Sequence, residues 1–141
     1  GSRYFVVLCA RGGSATGHAF VVWGMEDAQK AMSSQEGHGF YSKNGEAGLF
    51  GPVPGELKDE AVKKSISQIS DRLIVEVDRK VYEASRTAIS RWATTDYRLF
   101  GTNCISFAAD VARTMGLSTP PQGSLTFPAA FLQKLIQMNG R

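Results

Sequence analysis

The sequence predicts an α+β domain, and three observations carry that expectation. Strand-forming runs crowd the first half of the 141 residues, helical periodicity takes over in the second, and a late Asn-Cys pair opens a helix with one apolar stripe. Hydrophobic residues make up 43% and charged residues 21%, the balance of an ordinary globule. A chain of this length buries about two thirds of its unfolded surface without metals or disulfides, so we expect one domain over residues 3–141. Gly1-Ser2 reads as a cloning scar, and the amino end carries no secretory signal.

Residues 4–9 (YFVVLC) form a continuous apolar run, the mark of a central strand. The loop at 11–17 has the Gly12-x-x-x-x-Gly17 spacing of a phosphate loop. Such a loop needs a lysine, then Ser or Thr, and must open a helix. His18 and Ala19 follow instead, then Phe20-Val21-Val22-Trp23, so 18–23 reads as a second strand, apolar on both faces. Residues 26–32 read as a helical turn or a loop, and 39–41 as a short third strand. Residues 44–57 (NGEAGLFGPVPGEL) carry four glycines and two prolines and read as a long loop that walls a cleft, with Phe50 as an apolar contact.

Residues 59–68 show a weak helical pattern, and 72–78 (RLIVEVD) alternate as a strand with one mostly polar face. Asp78 then caps a helix in which Tyr82, Ser85, Ile89 and Trp92 recur at helical spacing. Residues 97–100 are expected to be extended. A last helix spans 127–138, with Pro128 in its first turn and Gly140 as its stop.

The segment FGTNCISFAADVARTMGL, residues 100–117, carries the chemistry. Asn103 is a favoured N-cap, which puts Cys104 at the first helical position, while Phe107, Ala108, Val111, Ala112 and Met115 form the stripe and Gly116 ends it. A thiolate there is stabilised by the positive end of the helix dipole, and its own backbone N–H is free to meet a developing oxyanion. Cys9, mid-strand among Val7, Leu8 and Ala10, reads as core. A cysteine nucleophile needs a base, and the chain has two histidines, His18 and His38. His18 stands at the mouth of a buried strand; His38 lies between two glycines in EGHGFYS. One is expected as the base and the other as its orienter, and Asp110, nearly two turns down the helix from Cys104, as a solvated charge.

A histidine opening a strand, followed late by Asn-Cys opening a helix, resembles the permuted branch of the NlpC-type papain-like cysteine hydrolases. Lecithin:retinol acyltransferase and its relatives share that order, and their Asn-Cys-x-x-Phe helix is similar to Asn103-Cys104-Ile105-Ser106-Phe107. GHAFVVWG, GLFGPVPGEL and NCISFAADVARTMGL also look like bacterial toxin domains of that class, some of them exported by type VI secretion. The likeness covers roughly residues 4–117. It implies a permuted papain-like fold, in which a small antiparallel sheet packs against the cysteine helix. It also implies Cys104 as nucleophile, His18 as general base and no cofactor. The orienting residue is expected to be His38, with Glu36, Gln35 and Tyr41 as competitors. The oxyanion donors are expected to be the Cys104 N–H and the Asn103 amide.

The position after Cys104 holds Ile105 where the acyltransferase relatives carry an acidic residue, which favours peptide or peptidoglycan amides over lipid acyl groups. The expected protein is thus a bacterial effector acting on peptidoglycan peptides in a target-cell periplasm or a host cell, with an immunity or inhibitor protein as possible partner. Two alternatives stand beside it: a non-catalytic binding module on the same scaffold, and a lipid acyltransferase or thioesterase. Sixteen Lys and Arg residues are scattered and the net charge is only +3, which reads as a solvated surface without a nucleic-acid partner. Two distant histidines and two cysteines outside any C-x-x-C pair make a poor metal site. No apolar run approaches the ~20 residues of a membrane span.

Overall fold

β-Branched and aromatic residues fit a pleated, half-buried surface, and the early apolar runs of this chain lie side by side in one sheet. The computed structural model describes residues 1–12, 17–29, 32–43, 48, 50–60, 69–123 and 126–140. Its strands are β1 (Arg3–Arg11), β2 (His18–Glu26), β3 (Met32–Ser42), β4 (Val53–Asp59), β5 (Ile69–Val77) and β6 (Asp96–Tyr97). They pair antiparallel throughout in the order β5-β1-β2-β3-β4-β6. Among the described residues three helices, α1 (Arg79–Trp92), α2 (Cys104–Thr114) and α3 (Pro128–Met138), complete an α+β architecture.

β1 and β2 bury apolar side chains on both faces, most of them on the side that meets the helices. Val6, Leu8 and Ala10 join Ala19, Val21 and Trp23 on the helix-facing side, where they meet Phe107, Ala108, Val111 and Ala112 of α2 and Phe131, Leu132 and Leu135 of α3. Cys9, Phe20 and Val22 form a smaller cluster on the opposite face. Each large side chain so buried contributes about 1.5–3 kcal/mol of transfer free energy. Trp23 Nε1 donates to Ser85 Oγ of α1 at 2.9 Å. Phe40, Trp92 and Phe107 stack edge to face, with centroids 4.9 and 5.8 Å apart.

The helix ends follow their sequence signals. Asp78 accepts from the Val81 N–H at 2.8 Å, and Pro128 stands at the start of α3. Asp110 is not a solvated charge: it accepts from Arg91 Nη2 and Trp92 Nε1, both at 2.8 Å, and clasps α1 to α2.

The middle of the chain departs most from expectation. β3 is eleven residues long rather than three, because cross-strand pairing with β2 and β4 holds a polar stretch, SSQEGHG, that has little strand propensity of its own. β2 likewise runs on to Glu26, and an Asx turn follows in which Asp27 Oδ1 accepts from the Gln29 N–H at 3.0 Å. The second half of the 44–57 loop is strand β4, in which Pro54 pairs with Asp96 of the two-residue β6 and its carbonyl accepts from the Lys43 N–H at 2.7 Å. Asp59 ends β4 and Glu60 follows it without entering a helix; the rest of that expected helix, 61–68, lies outside the described residues, as does 13–16 of the glycine loop.

Candidate active site

Cys104 is placed by the cap that starts its helix. Asn103 Oδ1 accepts from the N–H groups of Ile105 at 3.0 Å and Ser106 at 3.4 Å, and the Asn103 N–H donates back to Ser106 Oγ at 3.1 Å. This capping box contributes about 1 kcal/mol and fixes the first turn. Gln122 braces it from outside, donating to Asn103 Oδ1 at 3.0 Å and facing Ser106 Oγ at 2.9 Å. Asn103 Nδ2 donates to the Leu99 carbonyl at 2.8 Å. Asn103 Oδ1 and the Asn103 backbone N–H are thus committed to the cap, while Nδ2, the expected oxyanion donor, gives one of its two hydrogens to the Leu99 carbonyl. The cap does not use the Cys104 N–H.

The sheet opens to receive the sulfur. The β2–β3 ladder runs from Glu26 and Met32 to Val21 and His38, and nearer His18, β3 pairs with β4 instead. Into that fork comes Cys104 Sγ, which accepts from the Ala19 N–H at 3.5 Å. Cys104 also lies close enough to the His18 ring to raise the pKa of the imidazole. A helix on one side of the sheet and a histidine whose neighbours lie on the other thus meet at the point where two strands part.

His18 is mostly buried and firmly held. Its ring stacks on Tyr41 with centroids 4.1 Å apart, and Nε2 stands 3.3 Å from Oε1 of Glu60. That approach is bent away from ideal hydrogen-bond geometry, so charge holds the contact. With Nε2 turned to the carboxylate, Nδ1 is the nitrogen left to serve the sulfur. Burial pushes the imidazole towards its neutral form, but its interactions with Cys104 and with the Glu60 carboxylate outweigh it and raise its pKa above the ordinary 6.5.

Glu60, fully buried, is the residue that sequence reasoning missed. It accepts from Arg11 Nη1 at 2.9 Å and from the Tyr41 hydroxyl, while Arg11 Nη2 also donates to Tyr41 Oη at 3.0 Å. Burial alone would raise its pKa; the bonds from His18, Tyr41 and Arg11 reverse this and lower it to about 2. Burial and the same carboxylate push the Tyr41 phenol up. Gly39 clears the space for this cluster. A Cβ there would run into His18 Nε2 and stand 2.6 Å from Glu60 Oε1 and 3.2 Å from Tyr41 Cε2.

The expected orienter His38 is corrected by strand parity. Alternate residues of β3 face opposite sides: Tyr41 stacks on His18, whereas His38 turns to the helix side, near Trp23 at 6.0 Å and Glu36 at 3.5 Å. Glu36 is engaged with Arg86 of α1 at 2.7 Å, and Gln35 is exposed. Of the competitors, Tyr41 alone lies in the cluster, bonded to the carboxylate and stacked on the ring. Reading 53–59 as a strand would have found Glu60, since Glu56, Lys58 and Glu60 then share one face with Tyr41. Lys58 Nζ does sit 4.8 Å from the Tyr41 ring. Phe50 is fully exposed in a loop whose Gly48 carbonyl accepts from the Leu99 N–H at 3.4 Å, just before the cysteine helix. Among the described residues no three His, Cys, Asp or Glu side chains gather as metal ligands would, and no helix is long and apolar enough to cross a membrane.

No protein-family model and no curated protein matches this chain. Among solved structures, the type VI secretion system effector TseH has a similar fold, with a TM-score of 0.62 over 98% of this chain and 90% of that one, at 12% sequence identity. At that identity the likeness is one of fold.

Proposed function

We propose that this chain is a cysteine hydrolase that cleaves amide bonds, a permuted papain-like enzyme carried on residues 3–141. The observation that carries the reading is a line of side chains: the Cys104 thiol beside the His18 ring, and the far nitrogen of that ring against the ionised, buried Glu60. His18 takes the Cys104 proton, and the thiolate attacks the carbonyl carbon, forming a C–S bond and moving the carbonyl electron pair onto oxygen. The Cys104 N–H at the helix start meets that oxyanion. As the tetrahedral intermediate collapses, the C–N bond breaks and the His18 imidazolium protonates the departing amine. Water then attacks the thioester with His18 as base, releasing the acid and restoring the thiol. Glu60 orients the imidazole and stabilises its cation, in the role the third member plays in hydrolase triads. Water is the sole co-reactant.

The substrate we assign is the peptide portion of peptidoglycan, cut by an effector delivered to a target cell's periplasm, with an inhibitor protein guarding the producing cell. Two things support this: the fold shared with a type VI secretion effector, and Ile105 at the position where lipid acyltransferase relatives carry an acidic residue. The test is to digest purified peptidoglycan with the wild-type chain and with Cys104→Ala and to read products by mass. New peptide termini with the wild type alone support the assignment. The same products from both, or none from either, overturn it.

A further inference from the structure

Arg11 is the last residue of β1 and the direct cross-strand partner of His18 in the β1–β2 ladder. The register between β1 and β5 shifts between Ala10 and Arg11, and such an irregularity re-aims the side chain beyond it. The guanidinium lies 5.0 Å from the Phe20 ring centroid and ends in a fork on Glu60 and Tyr41. A part-buried arginine bonded to the carboxylate beside the proposed base calls for a reason, since salt-bridging Glu60 does nothing for the sulfur directly.

The reason lies in charge. A fully buried carboxylate facing an imidazole would hold a proton on that imidazole, and a base locked as its cation cannot accept the proton of a nucleophile or of water. The groups that face His18 are Arg11 from β1, Tyr41 from β3, Glu60 at the end of β4 and Cys104 from α2. Lys58 lies over Tyr41, and Tyr97 of β6 feels the charge of Cys104. Of the cations among these, Arg11 is the one bonded to the carboxylate, at 2.9 Å. We propose that Arg11 is a positioning residue that acts on His18 through Glu60, drawing off part of the carboxylate's charge so that the imidazole can still give up its proton. The inference rests on the Cys104–His18–Glu60 reading of the site, but its test needs no substrate.

The experiment is an NMR titration of the His18 ring in five proteins: wild type, Arg11→Gln, Arg11→Lys, Arg11→Gln combined with Glu60→Gln, and Glu60→Gln alone as the reference for the double variant. Glutamine keeps a donor for Glu60 and removes the cation, so the His18 midpoint rises by about one pH unit. Lysine keeps the charge and leaves the midpoint within about 0.3 units of wild type. In the Glu60→Gln background the Arg11 substitution has no further effect, because there is no carboxylate charge to balance. An unchanged or lowered midpoint in Arg11→Gln overturns the proposal. Should Arg11→Gln fail to fold, recovery of the fold in the double variant supports charge balance as its role, and failure of both overturns it. A chain with no hydrolase activity at all still gives a clear answer.

Discussion

Both thiols of this chain are free and buried, yet they lie on opposite sides of the sheet and in opposite chemical settings. Cys9 sits mid-strand against Phe20 and Val22, and burial pushes its pKa up to about 12, which keeps it protonated and inert. Cys104 is buried too, though less completely, and it has a helix start beneath it, the Ala19 N–H on its sulfur and the His18 ring alongside. Burial by itself makes a thiol part of the core. What sets the second one apart is that each neighbouring polar group is aimed at the sulfur by an element the fold needs anyway.

The sharpest way to break this comparison is to delete each sulfur in turn. Cys104→Ala should lose hydrolysis by at least about a thousandfold while the fold survives, as expected for a residue that acts as part of one catalytic unit. Cys9→Ala should keep activity within about twofold and lose about 1–2 kcal/mol of stability, a packing cost readable by urea denaturation. The two histidines extend the contrast. His18→Ala should lower kcat/KM by about 10²–10⁴. His38→Ala, on the helix-facing side with Glu36, should leave it within about threefold. Parity of the two effects would place the base elsewhere.

A smaller effect separates Glu60 from ordinary surface carboxylates. Its folded pKa is depressed from 4.5 to about 2, so the stability it contributes is present above 4.5 and is lost as pH falls towards 2. Wild-type stability should therefore drop through that window, and Glu60→Gln should show a shallower slope there together with about a hundredfold loss of kcat/KM. Gly39→Ala, which drives a methyl group into the same pair, should reproduce the loss of activity without removing the carboxylate.

The sequence made the proposed nucleophile legible because its signals are local: an N-cap, a helix dipole and an apolar stripe all lie within residues 103–116. His18 was legible for a similar reason, as the one histidine opening a buried strand. The third residue was hidden by a long-range effect. Whether 53–60 is loop or strand depends on pairing with β3 and β6, and that pairing also decides which side Glu60 faces. His38 was a reasonable candidate by proximity in the chain and fails by parity, which cannot be assigned until β3 is known to be a strand. The Arg11 and Tyr41 contributions were invisible for the same cause, since three strands must align before their side chains meet.

The pairing of sulfur and imidazole is tested most directly by titrating the His18 ring by NMR in the wild type and in Cys104→Ala. Among the groups that raise the His18 midpoint above 6.5, Cys104 stands first. The wild-type ring should therefore titrate above that value and Cys104→Ala should titrate distinctly lower, with Glu60 still in place. The same midpoint in both proteins would mean that the two side chains do not share a proton, and the proposed nucleophile would have no base.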